Sequence, residues 1–316
     1  VRGATEAINL VAQSFGLNNF EKGDEVILSQ MEHHSNIVPW QLLRDKLGIK
    51  INVIPINQDG DIDLNNFKKL LSKKVKLVSI LHVSNALGTI VPIKELISMS
   101  HKQKIPVLVD GCQSVPHMKV DVQNLDADFY CFSGHKIYGP TGIGILYSKK
   151  DFLERMSPYQ GGGEMISEVT FKKTTYQEPP HKYEAGTPNI VGSIALGTAV
   201  DYVKNINIEK ICKHEQNLLN YATDKIKSIN EVKIIGTSKN KAGIISFIVK
   251  NTHPNDIGVI LDNHGIAVRT GHHFCQPLMQ FYNIPATIRA SFGMYNTLNE
   301  IDSFIDALKN AINLLR

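Results

Sequence analysis

Hydrophobic positions in the first two-thirds of the chain alternate between a helical spacing and short continuous apolar runs. The helical spacing predicts helices over residues 4–15, 37–47, 63–71 and 92–102. Asp63 and Pro92 stand at two of these helix starts, as a candidate N-cap and a first-turn proline. The apolar runs predict strands over residues 25–29, 50–56, 76–83, 106–109, 128–132 and 143–147. Strands that alternate with helices indicate βαβ units, and therefore a mostly parallel sheet with helices on both faces.

The pattern changes after residue 157. Gly161-Gly162-Gly163 and Pro179-Pro180 predict a long, functional surface loop over residues 157–189. Helices are predicted beyond it over residues 190–203, 208–229, 256–263 and 299–315, and strands over 232–235, 243–249, 266–269 and 289–295. We therefore predict two domains, a large α/β domain of residues 1–204 and a smaller α+β domain of residues 205–316.

The composition is that of an ordinary globular protein, since 42% of the 316 residues are hydrophobic and 20% are charged. The formal net charge of +4 is spread over 34 Lys and Arg and 30 Asp and Glu residues. No basic stripe or aromatic-interleaved patch is visible, which argues against nucleic-acid binding. No run of about 18 apolar residues occurs, which argues against a membrane span.

The chain has four cysteines, and no two of them stand at the spacing of a redox or zinc motif. A chain of this length does not depend on disulfides, so we expect a reducing, cytoplasmic compartment. Cys112, Cys131 and Cys212 lie within apolar strand or helix patterns and are expected to be buried, unreactive thiols. The chain starts at Val1, without Met and already inside a motif, so we expect it to be truncated at its N-terminus.

The strongest chemical signal is Ser133-Gly134-His135-Lys136, directly after a predicted strand. In parallel sheets, ligands bind beyond the carboxyl ends of the strands. A lysine attacks an aldehyde only as the free amine, and partial desolvation favours that form. Ser133 and His135 can donate hydrogen bonds to a phosphate. Taken alone, the motif is better explained as a surface lysine after a strand.

A second signal is Asp110, which ends the preceding buried strand and is followed by Gln113. A carboxylate at this place can pair with the protonated pyridine nitrogen of pyridoxal 5′-phosphate (PLP), which makes the ring an electron sink. A turn aspartate is the simpler alternative. That alternative, however, does not account for a lysine at the end of the next strand.

Further polar residues follow other predicted elements. Gly3 and Thr5 open the first helix, where backbone N–H groups and a hydroxyl can bind an anion. His33 and His34 lie between a strand and a helix, and a flat imidazole can stack on a pyridine ring. Adjacent residues on a helix do not face each other, which argues against a metal site at this pair. Asn85 follows a strand and could reach a cofactor oxygen.

Together these residues resemble the class V aminotransferase family and, within it, the SufS-type (group II) cysteine desulfurases. The resemblance covers nearly the whole chain. It is carried by the motifs RGATEAINLVAQSF (2–15), MEHHSNIVPWQ (31–41), HVSNALGT (82–89), VLVDGCQSVPH (107–117), FSGHKIYGPTGIGILY (132–147), YEAGTPN (183–189), GIAVRTGHH (265–273) and PLM (277–279). It implies the fold-type I architecture of PLP enzymes, usually a homodimer with its active sites at the subunit interface.

The resemblance also implies roles at the cofactor ring. Lys136 would bind the cofactor covalently and act in catalysis. Asp110 would pair with the pyridine nitrogen, and Gln113 would hydrogen-bond the phenolic oxygen. His33 would stack on the ring and belong to the catalytic set.

Other roles concern the phosphate and the substrate. The phosphate would be held by Thr5, Ser133 and His135. Thr187 would reach the phosphate of the partner subunit's cofactor. The residues expected to bind the substrate are Asn85, Arg269 and Arg289, since an arginine binds a carboxylate with two parallel hydrogen bonds.

The implied reaction converts L-cysteine to L-alanine and leaves the sulfur on an enzyme cysteine as a persulfide. A sulfur-acceptor protein of iron–sulfur cluster assembly would then receive it. In the family, the nucleophilic cysteine directly follows the second histidine of the RTGHH motif. Phe274 occupies that position here, and Cys275 comes one residue later. We expect Cys275 to be the nucleophile, although a one-residue shift can reverse the direction of a side chain.

Three alternatives remain open at this stage. The chain could be a selenocysteine lyase, which shares the cofactor and carboxylate residues, or another enzyme of the class V aminotransferase fold. It could also be a PLP-binding scaffold in which the displaced thiol no longer accepts sulfur.

Overall fold

A six-stranded sheet from the first half of the chain is the largest layer of this computed structural model, which describes residues 1–316. Its strands are β1 (Glu25–Ser29), β2 (Lys50–Ile54), β3 (Val75–Leu81), β4 (Val107–Asp110), β5 (Phe129–Ser133) and β6 (Gly144–Ser148). They lie in the order β2-β1-β3-β4-β5-β6, and all neighbours are parallel except β5 and β6. The predicted mostly parallel sheet is confirmed.

Helices follow most of the strands. They are α1 (Ala4–Leu10), α2 (Leu17–Asn19), α3 (Val38–Leu47), α4 (Leu64–Leu70), α5 (Ile93–His101), α6 (Val122–Leu125), α7 (Lys150–Arg155), α8 (Ile190–Ile206), α9 (Ile208–Lys227), α10 (Pro254–Asn263), α11 (Gln276–Phe281) and α12 (Leu298–Leu314). A π-helical segment, Val11–Gly16, joins α1 to α2. Asp63 is confirmed as an N-cap, since its carboxylate accepts the Asn66 N–H. None of the helices combines the length and apolar composition that spanning a membrane requires.

The two faces of the large sheet carry separate hydrophobic cores. Alternate residues of β4 divide between them, with Val107 and Val109 in one core and Leu108 in the other. Phe67 of α4 fills the first core and Trp40 of α3 the second, and both are fully buried. Helices therefore cover both faces of the sheet, which explains the continuous apolar runs of its strands.

A smaller antiparallel sheet follows in the last third of the chain. Its strands are β9 (Val232–Ile235), β10 (Ile244–Val249), β11 (Arg269–Gly271) and β12 (Thr287–Ser291), in the order β11-β12-β10-β9. The strand predicted over 266–269 was misplaced, because Ile266 and Val268 pack against the core without joining the ladder. The predicted 157–189 loop contains a short hairpin of β7 (Ile166–Val169) and β8 (Thr174–Tyr176).

We propose that the chain divides into domains of residues 1–204 and 205–316, close to the break between α8 and α9. A hydrophobic core shared by α9, α10, β10, β12 and α12 supports a separate second unit. The two units are closely joined, because Leu278 and Met279 of α11 pack into a core of the six-stranded sheet. This joint holds the loop before α11 against the carboxyl ends of the large-sheet strands.

Gly111 cannot carry a side chain in this fold. A Cβ there would lie 2.1 Å from Cε1 of Tyr130. The Tyr130 ring cannot easily move, because its hydroxyl lies 2.6 Å from Ser114 Oγ and 2.9 Å from His82 Nδ1. We expect Gly111→Ala to lower the free energy of unfolding by about 1–3 kcal/mol through overpacking, measured by chemical denaturation. Gly161→Ala is the control, since its Cβ would meet nothing within 4 Å, and an equal loss in both variants would contradict the expectation.

Candidate active site

A cavity of about 340 Å³ opens beyond the carboxyl ends of β1, β3, β4 and β5. Most of the site residues predicted from the sequence line it: Thr5, His33, Asn85, Asp110, Gln113, Ser133, His135, Lys136, Arg269 and Arg289. Parallel strands end at one edge of the sheet, so residues distant in sequence meet there. Two predicted residues, Thr187 and Cys275, do not line the cavity.

Lys136 stands on a short 3-10 turn, Gly134–Ile137, that directly follows β5. The turn is fixed because Gly134 donates its N–H to the Ile143 carbonyl of the adjacent chain segment. The Lys136 side chain lines the cavity and makes no hydrogen bond or ion pair with another residue. Its amine is therefore available to a ligand in the cavity.

Asp110 lies at the end of β4 and is almost completely buried. Burial raises the pKa of its carboxyl group, while the Cys112 N–H at 3.0 Å from Oδ1 and the charge of Lys136 lower it. No lysine or arginine forms an ion pair with Asp110. A cationic group of a ligand would therefore supply the partner that this buried carboxylate lacks.

Hydroxyl and backbone N–H groups converge near the start of α1. Ser133 Oγ accepts the Ala4 N–H at 2.9 Å, and its own proton remains free to donate. Thr5 and His135 line the same end of the cavity. The backbone approaches so closely that a Cβ on Gly3 would lie 3.0 Å from Ser133 Oγ. These donors at the first turn of a helix form an environment suited to an anion such as a phosphate.

His33 presents a neutral imidazole to the cavity. Burial, together with the nearby charges of His34 and Lys136, lowers the pKa of His33 to about 4. Its Nδ1 accepts the Ser35 N–H at 3.1 Å, so the ring proton resides on Nε2. A flat, uncharged ring of this kind can stack against an aromatic ligand.

Two arginines face the cavity from the antiparallel sheet. Arg269 of β11 and Arg289 of β12 stand directly opposite each other, and neither forms an ion pair. Arg289 Nη1 donates to the Asn85 carbonyl at 2.8 Å, while its Nε is buried without a partner. Burial lowers the pKa of the Arg289 guanidinium. An anionic ligand, such as a carboxylate, would satisfy both the charge and the unpaired N–H.

The loop between β11 and α11 places Phe274, and not Cys275, in the cavity wall. The Phe274 ring centroid lies 5.3 Å from that of His33, and the Arg269 guanidinium lies 5.2 Å from the Phe274 centroid. His273 and Phe274 both have positive φ angles, of 53° and 58°, which non-glycine residues adopt at a cost. In this conformation the one-residue shift therefore turns the aromatic side chain inward and the thiol outward.

Cys275 is fully buried beside the cavity rather than in it. Burial raises the pKa of its thiol to about 12. The thiol donates to Asn85 Oδ1 at 3.2 Å, and Asn85 Nδ2 donates to the His273 carbonyl at 2.8 Å. The Asn85 side chain, predicted to bind substrate, is therefore occupied in holding this loop, and its substrate-binding role stays a prediction.

The other three cysteines differ from one another in their surroundings. Cys131 is buried as predicted, but Cys212 is exposed, so the prediction of a buried thiol there was wrong. Cys112 lines the cavity, which the sequence interpretation missed. The available signal was its position between Asp110 and Gln113, two residues already assigned to the cofactor. Burial and the adjacent Asp110 raise the pKa of the Cys112 thiol strongly.

Thr187 is exposed and lies outside the cavity. Its predicted contact is with the cofactor of a partner subunit, so it stays a prediction. No group of three or more His, Cys, Asp and Glu side chains lies close enough to hold a metal ion.

The cavity residues fit PLP. They offer a free amine for its aldehyde, a buried carboxylate without a cation for its ring nitrogen, and a neutral flat ring for stacking. Hydroxyls and a helix N-terminus face the place where its phosphate would lie. The residues that would hold these parts are Lys136, Asp110, His33, Thr5 and Ser133.

Known proteins resemble this chain in sequence and in fold. The model of the class-V aminotransferase family matches residues 1–304. A cysteine desulfurase of Escherichia coli O8 (strain IAI1) is 50% identical over 316 residues, which cover 100% of this chain and 78% of the relative.

Two solved structures superpose closely on this chain. The cysteine desulfurase CsdA from Escherichia coli has a TM-score of 0.96 at 37% identity, covering 100% of this chain and 79% of its own. The apo structure of a cysteine desulfurase from Thermococcus onnurineus NA1 has a TM-score of 0.96 at 39% identity, with coverages of 99% and 78%.

Proposed function

The chain belongs to the class-V aminotransferase family and is a PLP-dependent cysteine desulfurase. From this premise, we propose that it transfers the sulfur of L-cysteine to its own Cys275. The products would be L-alanine and a persulfide on that cysteine. The observation that carries the proposal is the convergence of Lys136, Asp110 and Arg289 on one cavity. These groups supply an amine, a carboxylate and a guanidinium for the cofactor and the amino-acid substrate.

Each residue would make a distinct contribution. Bound PLP supplies a ring that delocalises negative charge from the substrate α-carbon. Lys136 would hold the cofactor through its Nζ and, once the substrate amine replaces it, accept the α-proton. Asp110 would keep a proton on the ring nitrogen by remaining ionised beside it. Arg289 would bind the substrate carboxylate, and the neutral His33 would cover one face of the ring.

The sulfur step requires a thiol that can reach the substrate. The carbon–sulfur bond of L-cysteine breaks, the β-carbon gains a proton, and a sulfur–sulfur bond forms on the enzyme, so no external oxidant is needed. The Cys275 thiol donates a hydrogen bond to Asn85, whose side chain lines the cavity. A rearrangement of residues 272–275 that relaxes the positive φ angles of His273 and Phe274 would bring the thiol inward.

Cys112 is the competing thiol, because it already lines the cavity. It lies beside Asp110 and Ser133, at the side that we assign to the ring nitrogen and the phosphate. Burial raises the pKa of both thiols, and the Asp110 charge disfavours both thiolates; Glu32 also disfavours that of Cys275, but only Cys275 has a favouring cationic charge nearby, that of Arg289. Cys275 is therefore the better candidate.

The test is the production of alanine and persulfide from L-cysteine and a reductant, with PLP bound. We expect Cys275→Ala to lose nearly all of both products, while its cofactor absorbance stays unchanged. Cys212→Ala, at an exposed cysteine, is the matched control and should keep full activity. Retained activity in Cys275→Ala together with lost activity in Cys112→Ala would assign the sulfur to Cys112 instead.

A selenocysteine lyase activity is the second candidate, favoured by the position of Phe274 in the cavity wall and the burial of Cys275. A selenol is more acidic than a thiol and leaves more readily, so it depends less on an enzyme thiol to accept it. Turnover of L-selenocysteine, but not of L-cysteine, by Cys275→Ala would support this activity. Competition between the two substrates in the parent protein would establish its preference.

We also propose a homodimer, on the basis of an exposed apolar face on α8. The side chains of Ile190, Val191, Ile194 and Tyr202 on that helix are more than half exposed. A second copy would cover this face and would bring Thr187, just before α8, towards the partner's cofactor.

We further propose that the persulfide passes to a sulfur-acceptor protein of SUF-type iron–sulfur cluster assembly. We also propose a cytoplasmic location, since the four cysteines are free, which is consistent with a reducing compartment.

A further inference from the structure

Glu32 is a buried carboxylate that has no cation as a partner. Only 1% of the residue is exposed, and no lysine, arginine or histidine forms an ion pair with it. Oε1 accepts the Leu81 N–H at 3.1 Å, the Ser29 N–H at 3.3 Å and the Ser29 hydroxyl at 2.5 Å. Oε2 accepts from Asn36 Nδ2 at 2.7 Å. Four donors therefore converge on this one side chain.

The network continues beyond Glu32 through Asn36. Asn36 Oδ1 accepts from the Trp40 indole N–H at 3.1 Å and from the Ser79 hydroxyl at 2.5 Å. These contacts join the end of β1 to α3 and to β3. The network therefore spans three elements on the side of the sheet edge where the cavity opens.

The direction of each bond in this network that comes from an N–H group is fixed. The indole N–H of Trp40 can only donate, so the Asn36 carbonyl must face it and the Asn36 amide must face Glu32. The backbone N–H groups of Ser29 and Leu81 can only donate as well. Both oxygens of Glu32 are thus required as acceptors from N–H groups, one from Asn36 and the other from Ser29 and Leu81.

Burial raises the pKa of Glu32 to about 7, although hydrogen bonds from Ser29, Asn36 and Leu81 lower it. An isolated buried charge is costly, and a well-packed apolar residue often stabilises a fold equally well or better. Stability alone is therefore a weak explanation for this residue. Its location suggests another, because Glu32 directly precedes His33, and Leu81 lines the cavity.

We infer that Glu32 is a positioning residue, whose carboxylate locks the turn over residues 29–36 against the end of β3 and so fixes the His33 ring at the cofactor face. The inference rests on the proposed role of His33 in stacking on the cofactor. The hydrogen bonds of the His33 ring come from one side only, from Ser35 at its Nδ1. The orientation of its ring consequently depends on the backbone that Glu32 anchors.

The test compares the parent holoenzyme with Glu32→Gln. The amide of glutamine places an N–H₂ group against groups that can only donate, so the turn must shift. We expect the visible circular dichroism of bound PLP to change, because its ring loses its fixed stacking partner. We also expect kcat to fall roughly 10-fold, which is typical when a supporting partner of a site ligand is removed. The KM for L-cysteine should stay nearly constant, since the carboxylate-binding Arg289 is untouched.

Asp128→Asn provides a matched control for the loss of a buried carboxylate. Asp128 is also buried and accepts the Val107 N–H at 2.8 Å, although, unlike Glu32, it also pairs with Lys149 and His101. It lies at the opposite edge of the sheet, where β4 and β5 begin. This variant should lower the thermal midpoint without changing the dichroism or kcat.

An unchanged dichroism and kcat in Glu32→Gln, with only a lower thermal midpoint, would overturn the inference and leave a structural role. If Glu32→Gln does not fold, Ser29→Ala removes one donor to the same carboxylate and should shift the dichroism in the same direction by less. The dichroism is measured without turnover. An inactive parent would therefore count against the proposed function while the positioning role is still tested.

Discussion

Lys136→Ala is expected to reduce the production of alanine from L-cysteine by roughly 10³-fold, the scale at which a positioned proton-transfer group contributes to catalysis. Lys136 is the only lysine that lines the cavity. In the proposed function, its loss would remove both the covalent bond to the cofactor and the group that accepts the α-proton. Activity should be measured with saturating PLP, and covalent attachment by reduction with borohydride followed by mass spectrometry of the protein.

Lys172→Ala is the matched control for this experiment. Lys172 lies in the exposed hairpin connection between β7 and β8, far along the chain from the cavity residues. It should keep full activity and full covalent attachment. Covalent attachment that persists in Lys136→Ala would show that another amine binds the cofactor, and the assignment of the site would fail.

Asp110→Asn is expected to lower kcat for L-cysteine by roughly 10²–10³-fold, the range found when one electrostatic stabiliser of a transition state is removed. The asparagine amide keeps the size of the side chain but cannot hold a proton on the ring nitrogen. The ring would then delocalise negative charge less well. Covalent attachment through Lys136 should persist, so the variant should remain coloured while its turnover is slow.

Asp63→Asn is a suitable control, because asparagine is as good an N-cap as aspartate. Asp63 caps α4 through the Asn66 N–H and does not line the cavity. Its activity should match that of the parent. Equal activities in the two variants would indicate that the Asp110 carboxylate has no role in the reaction.

Much of the site could be predicted because its residues follow strands. Asp110 and Ser133 each end a strand, and Lys136 stands on the turn immediately after one. Short apolar runs are visible in the sequence, and parallel strands end at a common edge. The resemblance to cysteine desulfurases, confirmed by the family match and by the 50% identical relative, added the antiparallel-sheet arginines, which no local pattern connected to the cofactor.

The burial of the cysteines could not be predicted from the sequence. Cys212 lies in a helix pattern yet is exposed, whereas Cys275 is fully buried. Cys112 was expected to be inert but lines the cavity. Burial depends on which elements pack above a residue, and the spacing of apolar residues within one element does not contain that information.

The sequence by itself determined the sheet class and brought out Lys136 and the strand-end residues that line the cavity around it, because these depend on local periodicity and on motifs contiguous in the chain. Only the tertiary structure decided which side chain of the 272–275 loop faces the cavity. The loop accepts hydrogen bonds from Asn85 at the His273 carbonyl and from the His34 N–H at the Phe274 carbonyl, and these residues, almost two hundred or more positions earlier, hold Phe274 in the wall and Cys275 behind it. Such long-range contacts fix the backbone angles of a short loop, and therefore the direction of each of its side chains, independently of the loop's own sequence pattern.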